Sequence, residues 1–195
     1  AGAVLKSDSS VVLWGKSDSG GRNNTKVDLT HIKAISMGGR AGAALKRNGN
    51  VVLWGNSNYG GRNNNNKVDL TNVKAISMGG HAGAALKKNG TVVLWGNSDY
   101  GGSNNTNVEL SDIKAISMGG YAGAALKNNG TVVLWGYSDF GGINNTNVVL
   151  RDIKAISMGG VAGAALKNNG NVVLWGKSDY GGSNNTNVEL SDIKA

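Results

Sequence analysis

"SMGGHAGAALKKNGTVVLWGNSDYGG", residues 77–102, decides the fold. Two short apolar runs flank Asn89-Gly90, and Asn-Gly favours the positive backbone angles of a tight turn. The stretch therefore predicts a β-hairpin with a type I′ turn. The dipeptide recurs at Asn48-Gly49, Asn129-Gly130 and Asn169-Gly170, and only "SDSS" at 7–10 departs from it. Downstream, "IKAISM" (113–118) predicts a third strand and "NVEL" (107–110) a fourth. Between hairpin and fourth strand, "NSDYGGSNNT" is a loop by its Asn, Asp and Gly content. Helical periodicity is absent.

The same module is spelled along the whole chain. Tryptophan stands at Trp14, Trp54, Trp95, Trp135 and Trp175, with spacings of 40, 41, 40 and 40. The extra residue lies in the run Asn63 to Asn66. Modules start at Ala1, Ala41, Ala82, Ala122 and Ala162, and residues 1–195 read as one domain. A fixed period of this length is the signature of a repeat architecture. One four-stranded sheet cannot bury both its faces, but radially stacked sheets can, which predicts a β-propeller. Small residues in "SMGG" and "AGAA" suit a crowded axis; Trp and Leu suit the wider space between blades.

The expectation is thus all-β: five four-stranded antiparallel blades. The chain opens in mid-module at "AGAVLK" and ends at "SDIKA", with one "ISMGG" and its following residue missing from five full modules. That predicts a ring closed within one blade, Ile193 to Ala195 lying beside Ala1 to Lys6. A weak seam there leaves a monomer or an edge-mediated oligomer. The mid-module start suggests a trimmed chain, and localisation is not read from it.

The order Gly-Gly, "AGAAL", Asn-Gly, "VVLWG", "NSDYGG" and "VKAISMGG" resembles the repeat of the RCC1 (regulator of chromosome condensation) superfamily over essentially the whole chain. The Gly-Gly ahead of the "AAL" strand and the Trp-Gly ending the hairpin carry the likeness. The resemblance implies a β-propeller. Ala82-Gly83 stands where family repeats usually carry His-Thr, and Gly101-Gly102 where they usually carry Gly-Gln. No insertion resembles the wedge that engages a small GTPase in the founding member, so nucleotide exchange is not implied. Nor is the tryptophan cluster of the plant ultraviolet receptors.

Composition narrows the chemistry. There is no cysteine, which excludes disulfides and thiolate metal sites. No apolar run reaches the roughly 18 residues of a membrane span. The two histidines, His31 and His81, lie in different modules, with no pattern that suggests an orienting acid. No catalytic residue, metal or cofactor is expected.

Binding residues are better represented. Tyr59, Tyr100, Phe140 and Tyr180 each follow an amide or acid, namely Asn58, Asp99, Asp139 and Asp179. Such pairs either pin the loop to its sheet or form a carbohydrate platform, ring faces stacking while oxygens take hydroxyl hydrogens. After "SMGG" the modules disagree, with Arg40, His81, Tyr121 and Val161, which points to an exposed axial rim. The formal charge is +8, and residues 1–80 hold eleven Lys or Arg against four Asp. Arg22, Lys26, Arg40, Arg47, Arg62 and Lys67 supply much of that excess, either as a solvated surface or as a polyanion patch. Asn104-Asn105-Thr106 forms a sequon in a chain rich enough in Asn to make one by chance. The reading is a non-catalytic binding or scaffold module for a protein partner. A multivalent lectin and a polyanion or nucleic-acid binder are the alternatives, beside a duplicated or engineered repeat without a dedicated ligand.

Overall fold

The computed structural model describes residues 1–23, 26–62, 68–104, 107–143, 148–183 and 189–193. The first module contributes strands β1 (Gly2–Leu5) and β2 (Val11–Trp14). The second contributes β3 (Ile32–Met37), β4 (Ala41–Lys46) and β5 (Val51–Gly55), and the third β6 (Val73–Met78), β7 (Ala82–Lys87) and β8 (Val92–Gly96). β9 (Ile113–Met118), β10 (Ala122–Lys127) and β11 (Val132–Gly136) follow, then β12 (Ile153–Met158), β13 (Ala162–Lys167) and β14 (Val172–Gly176). Each triplet is an antiparallel sheet in chain order, and β1–β2 is a two-stranded one.

Register explains why these strands are apolar on both sides. In the third module Ala84 faces Leu94 and Leu86 faces Val92, while Ala85 faces Val93. The first set packs against Ile113, Ala125 and Trp135 of the next module. Ala85 and Trp95, on the other face, pack against Ala43, Leu45 and Leu53 of the preceding one. Sheets are therefore stacked face to face, with a hydrophobic core between each successive pair.

Trp54, Trp95, Trp135 and Trp175 are fully buried in these cores. The Trp95 indole lies over β7 where a Cβ on Gly83 would come within 2.3 Å of its Cζ2. That is why Gly83 tolerates no side chain. Where the sheets converge, a Cβ on Gly79 would sit 2.1 Å from the Gly119 carbonyl oxygen, and one on Gly119 2.2 Å from that of Gly159. Backbone meets backbone there, as the small residues of "SMGG" predict.

Three expectations need correction. "NVEL" is not a strand: residues 107–110 form no ladder with their sheet among the described residues, and Val92 N–H donates to the Leu110 carbonyl at 3.0 Å. The Asn104 side chain grips the same segment, donating to the Val108 carbonyl at 2.7 Å and accepting from its N–H at 3.1 Å. The described sheets thus have three strands, or two in the first module, rather than four.

Secondly, the hairpin turn is not type I′. Gly90 takes φ +85°, but Asn89 is absent from the positive-φ residues. The N–H of Gly90 donates to the Lys87 carbonyl at 3.0 Å, and the Asn89 side chain accepts from Thr91 N–H at 3.1 Å. Asn closes the turn with its side chain, leaving only Gly in the left-handed region. Ser9 holds that place in the first module, with φ 66°.

Thirdly, no sheet among the described residues joins the two ends of the chain. β1 pairs with β2 alone. Of the proposed closing strand, residues 194–195 lie outside the described set, and Ile193 is 39% exposed.

Candidate functional site

Two variable positions in each of the last four modules are held side by side by the backbone. The residue following Trp-Gly donates its N–H to the carbonyl of the residue following "SMGG". Asn56 thereby binds Arg40 at 3.0 Å, Asn97 binds His81 at 3.1 Å, Tyr137 binds Tyr121 at 3.0 Å and Lys177 binds Val161 at 3.1 Å. A single 3-10 turn follows at Ser57–Tyr59, Ser98–Tyr100, Ser138–Phe140 and Ser178–Tyr180. Each turn is closed by a left-handed glycine. Where the first variable residue is Asn, its side chain caps the turn, Asn56 accepting from Asn58 N–H and Asn97 from Asp99 N–H, both at 3.0 Å. The aromatic at the end of each turn is thus delivered to the same end of the sheets as the variable residue after "SMGG".

The side chains meet in one continuous row. The Arg40 guanidinium lies 4.7 Å over the Tyr59 ring. Tyr59 stacks on His81 at 4.8 Å between centroids, with 29° between planes. His81 touches Tyr100 at 4.8 Å and Tyr121 at 5.0 Å, and those two tyrosines meet edge to face at 5.1 Å. Tyr121 reaches Phe140 at 5.0 Å, and Tyr137 touches Phe140 at 5.2 Å. The Lys177 ammonium then lies 5.4 Å over Phe140 and 5.0 Å over Tyr180. Offset and edge contacts of this kind suit ring quadrupoles, and cations over ring faces add to them. Burial among the rings, and secondarily the Arg40 charge, push His81 below the ordinary histidine pKa.

Sequence reasoning treats the loop aromatics and the variable rim as separate features; in the structure they are one. Asn58, Asp99, Asp139 and Asp179 are exposed and flank the row. Val161 is half-buried and brings no ring. Tyr137 and Lys177 belong to the row and are missing from the sequence-based set. Their signal was present: after Trp-Gly the modules read Lys16, Asn56, Asn97, Tyr137 and Lys177, a second position of free variation.

The basic residues do not gather in the same way. Arg40 is engaged on the rim, ahead of β4, whereas Arg47 lies beyond the other end of that strand and donates to Ser9 Oγ at 2.7 Å. Arg22, Lys26 and Arg62 are exposed, and Lys67 lies outside the described residues. Sequon residues Asn105 and Thr106 also lie outside them. His31 occupies a left-handed backbone position, φ 57°, and its carbonyl accepts from Arg47 N–H at 2.9 Å. Asn72, Asp112 and Asp152 take the same conformation at the equivalent position, which identifies His31 as a turn residue. Among the described residues no three His, Cys, Asp or Glu side chains cluster as metal ligands. No helix of the structure is long and apolar enough to cross a membrane.

No protein-family model and no curated protein sequence matches the chain. Solved structures do. Yeast RCC1 (Prp20), solved bound to Kap60, is 20% identical with a TM-score of 0.61, over 83% of this chain and 47% of that one. Human WBSCR16 gives 16% identity and a TM-score of 0.61, over 83% and 50%. The ectodomain of the Physcomitrella patens receptor kinase CR4 gives 23% and 0.62, over 77% and 42%. The chain spans about half the length of each. The shared feature is the RCC1-like β-propeller fold.

Proposed function

We propose that this chain is a non-catalytic interaction module that binds a protein partner across the aromatic rim, its modules serving as the blades of a propeller. The observation that carries the reading is the unbroken row from Arg40 to Tyr180, of which Tyr59 also packs against the core between sheets. The cores between sheets are already filled by Trp, Leu and Ala. Tyr, with few rotatable bonds and a polar tip, is enriched in binding hot spots, and a neighbouring Arg adds to the effect. The architecture suits the role, since loops on a rigid scaffold are the usual place for recognition. The solved relatives point the same way: yeast Prp20p was characterised by its binding to Gsp1p and histones.

The lectin alternative needs ring faces free to receive a sugar, and here Tyr59 is stacked on His81, while Tyr137 and Tyr180 stay exposed. The polyanion alternative needs clustered cations, and Arg40 and Arg47 lie off opposite ends of β4. One selection separates the readings. A displayed peptide library is panned on the wild-type chain and counter-selected on a Tyr100→Ser/Tyr121→Ser variant, beside a glycan array and a heparin column. Peptides that bind wild type and not the variant support the proposal. Array hits lost in the variant make the module a lectin, salt-sensitive heparin retention makes it a polyanion binder, and no rim-dependent peptide contradicts the proposal.

A further inference from the structure

Four of the rim's rings close into a circuit. Tyr100 meets Tyr121 edge to face at 5.1 Å between centroids, and Tyr121 meets Phe140 at 5.0 Å. Phe140 meets Tyr137 at 5.2 Å, and Tyr137 returns to Tyr100 at 6.0 Å. Two of the rings end the turns Ser98–Tyr100 and Ser138–Phe140; the other two stand at the positions joined by the bond from Tyr137 N–H to the Tyr121 carbonyl. Unlike Tyr59, none of the four belongs to a hydrophobic core between sheets, and Tyr137 is 40% exposed.

The row itself displays what such rings take. At each end a cation of the chain lies over ring faces, Arg40 over Tyr59 at 4.7 Å and Lys177 over Phe140 and Tyr180 at 5.4 and 5.0 Å. The attraction reaches to about 6 Å from a ring centroid. Tyr100, Tyr121 and Tyr137 carry no cation among the described residues. Their surroundings are acidic, although the chain as a whole is +8: residues 97–103 and 137–143 contain Asp99 and Asp139 and no Lys or Arg. Each carboxylate is exposed and directly precedes a ring of the circuit. Among the described residues the Asp99 side chain has no hydrogen-bond or ion-pair partner, and that of Asp139 accepts from Ser138 Oγ at 3.3 Å. The turn does not require the acid, because Asn58 fills the same place beside Tyr59, where the chain supplies its own guanidinium. His81 adds no charge at neutral pH, since burial and then Arg40 hold its pKa below 6.5.

We propose that this circuit receives a basic side chain of the protein partner, arginine above lysine, seated on Tyr100, Tyr121 and Tyr137 and met by the carboxylates of Asp99 and Asp139. The proposal rests on the reading that the rim binds a protein, and it names the chemistry the partner brings there. A guanidinium suits both parts of the site: its flat face stacks on rings, and its edge N–H groups fork onto a carboxylate. An ammonium has the charge without the face or the fork. An acidic segment meets no cation in the middle of the row, because Arg40 and Lys177 stand at its ends, already over rings. A neutral segment covers Asp99 and Asp139 without pairing them, which costs their hydration.

The probe is a capped Gly-Arg-Gly-Arg-Gly peptide, titrated into the isotope-labelled chain and followed by amide chemical shifts. Beside it runs the same peptide with citrulline for arginine, which keeps the shape and loses the charge. The expected result is shifts confined to residues 97–102, 119–122 and 137–142, with the citrulline peptide binding about tenfold more weakly or worse. Asp99→Asn/Asp139→Asn, an exchange the turn already tolerates at Asn58, weakens the arginine peptide about three- to tenfold. Tyr100→Ser/Tyr121→Ser abolishes its binding, and unchanged shifts along the strands show that both variants fold. No shifts, shifts centred outside the rim, equal binding of the citrulline peptide, or equal binding by the double-Asn variant overturns the proposal. The underlying reading is tested apart from it by the displayed library. Selected peptides that need Tyr100 and Tyr121 but lose nothing when their basic residues are made neutral overturn this inference and leave the rim a protein-binding surface. The absence of any rim-dependent peptide overturns both.

Discussion

Trp95→Ala is the substitution on which the packing argument stands or falls. The indole is fully buried between the second and third modules. Its space collapses poorly, because the sheet beneath it presents the backbone of Gly83 on β7 rather than a side chain. Deleting a buried aromatic under such conditions costs about 3–5 kcal/mol. The Gly60 carbonyl also loses the indole N–H it accepts at 3.0 Å, about a further 1 kcal/mol. Trp14→Ala is the internal control: same module position, same residue, but 55% exposed, so the expected change is within about 0.5 kcal/mol. Stability in a repeat array is a sum of module and nearest-neighbour terms, so Trp95→Ala also separates the first two modules from the rest and broadens the transition. Urea denaturation followed by circular dichroism reads both effects. Equal midpoints for Trp95→Ala and Trp14→Ala would refute the reasoning.

Other substitutions probe other parts of the account. Gly119→Ala places a methyl 2.2 Å from the Gly159 carbonyl and is expected to lower stability by about 1–3 kcal/mol, while Gly160→Ala, with nothing within 4 Å, is expected to leave the melting temperature unchanged. Ser9→Val forces a β-branched residue into the left-handed region and is expected to cost about 1–2 kcal/mol more in denaturant titration than Ser9→Gly, which suits that conformation; both lose the hydroxyl that accepts from Arg47. His81 has a folded pKa held below its ordinary 6.5 by burial and by Arg40. The stability this contributes is fully present above the unfolded value and is lost as pH falls from there through the depressed folded value. Melting temperatures on either side of about pH 6.5 should show that loss in wild type, and His81→Phe should remove it.

The repeat made most of the fold legible. Tryptophan spacing, the Asn-Gly hairpins and "IKAISM" locate the three strands of a module, and the twofold apolar faces imply stacking. "NVEL" misleads because its Val and Leu are apolar for a different reason: Val108 and Leu110 pack into the core between modules from an extended segment held by the Asn104 amide. The turn type misleads because the Asn89 side chain, not its backbone, closes the hairpin. The rim was half legible. Its residues sit far apart within a module and become neighbours only when Asn97 N–H binds the His81 carbonyl and Tyr59 leans onto the following module. Spacing within one module carries no record of that contact across two. The departure Ala82-Gly83 likewise becomes intelligible only once the Trp95 indole is seen lying on Gly83.

The most direct test of the binding claim is a hydrogen-exchange footprint of the chain with and without a peptide selected on it. Protection confined to 56–60, 79–82, 97–101, 119–122 and 137–141, and lost in the Tyr100→Ser/Tyr121→Ser variant, is the result the account predicts. Protection at the opposite end of the sheets, over the hairpin turns at 46–50, 87–91 and 127–131, would contradict it.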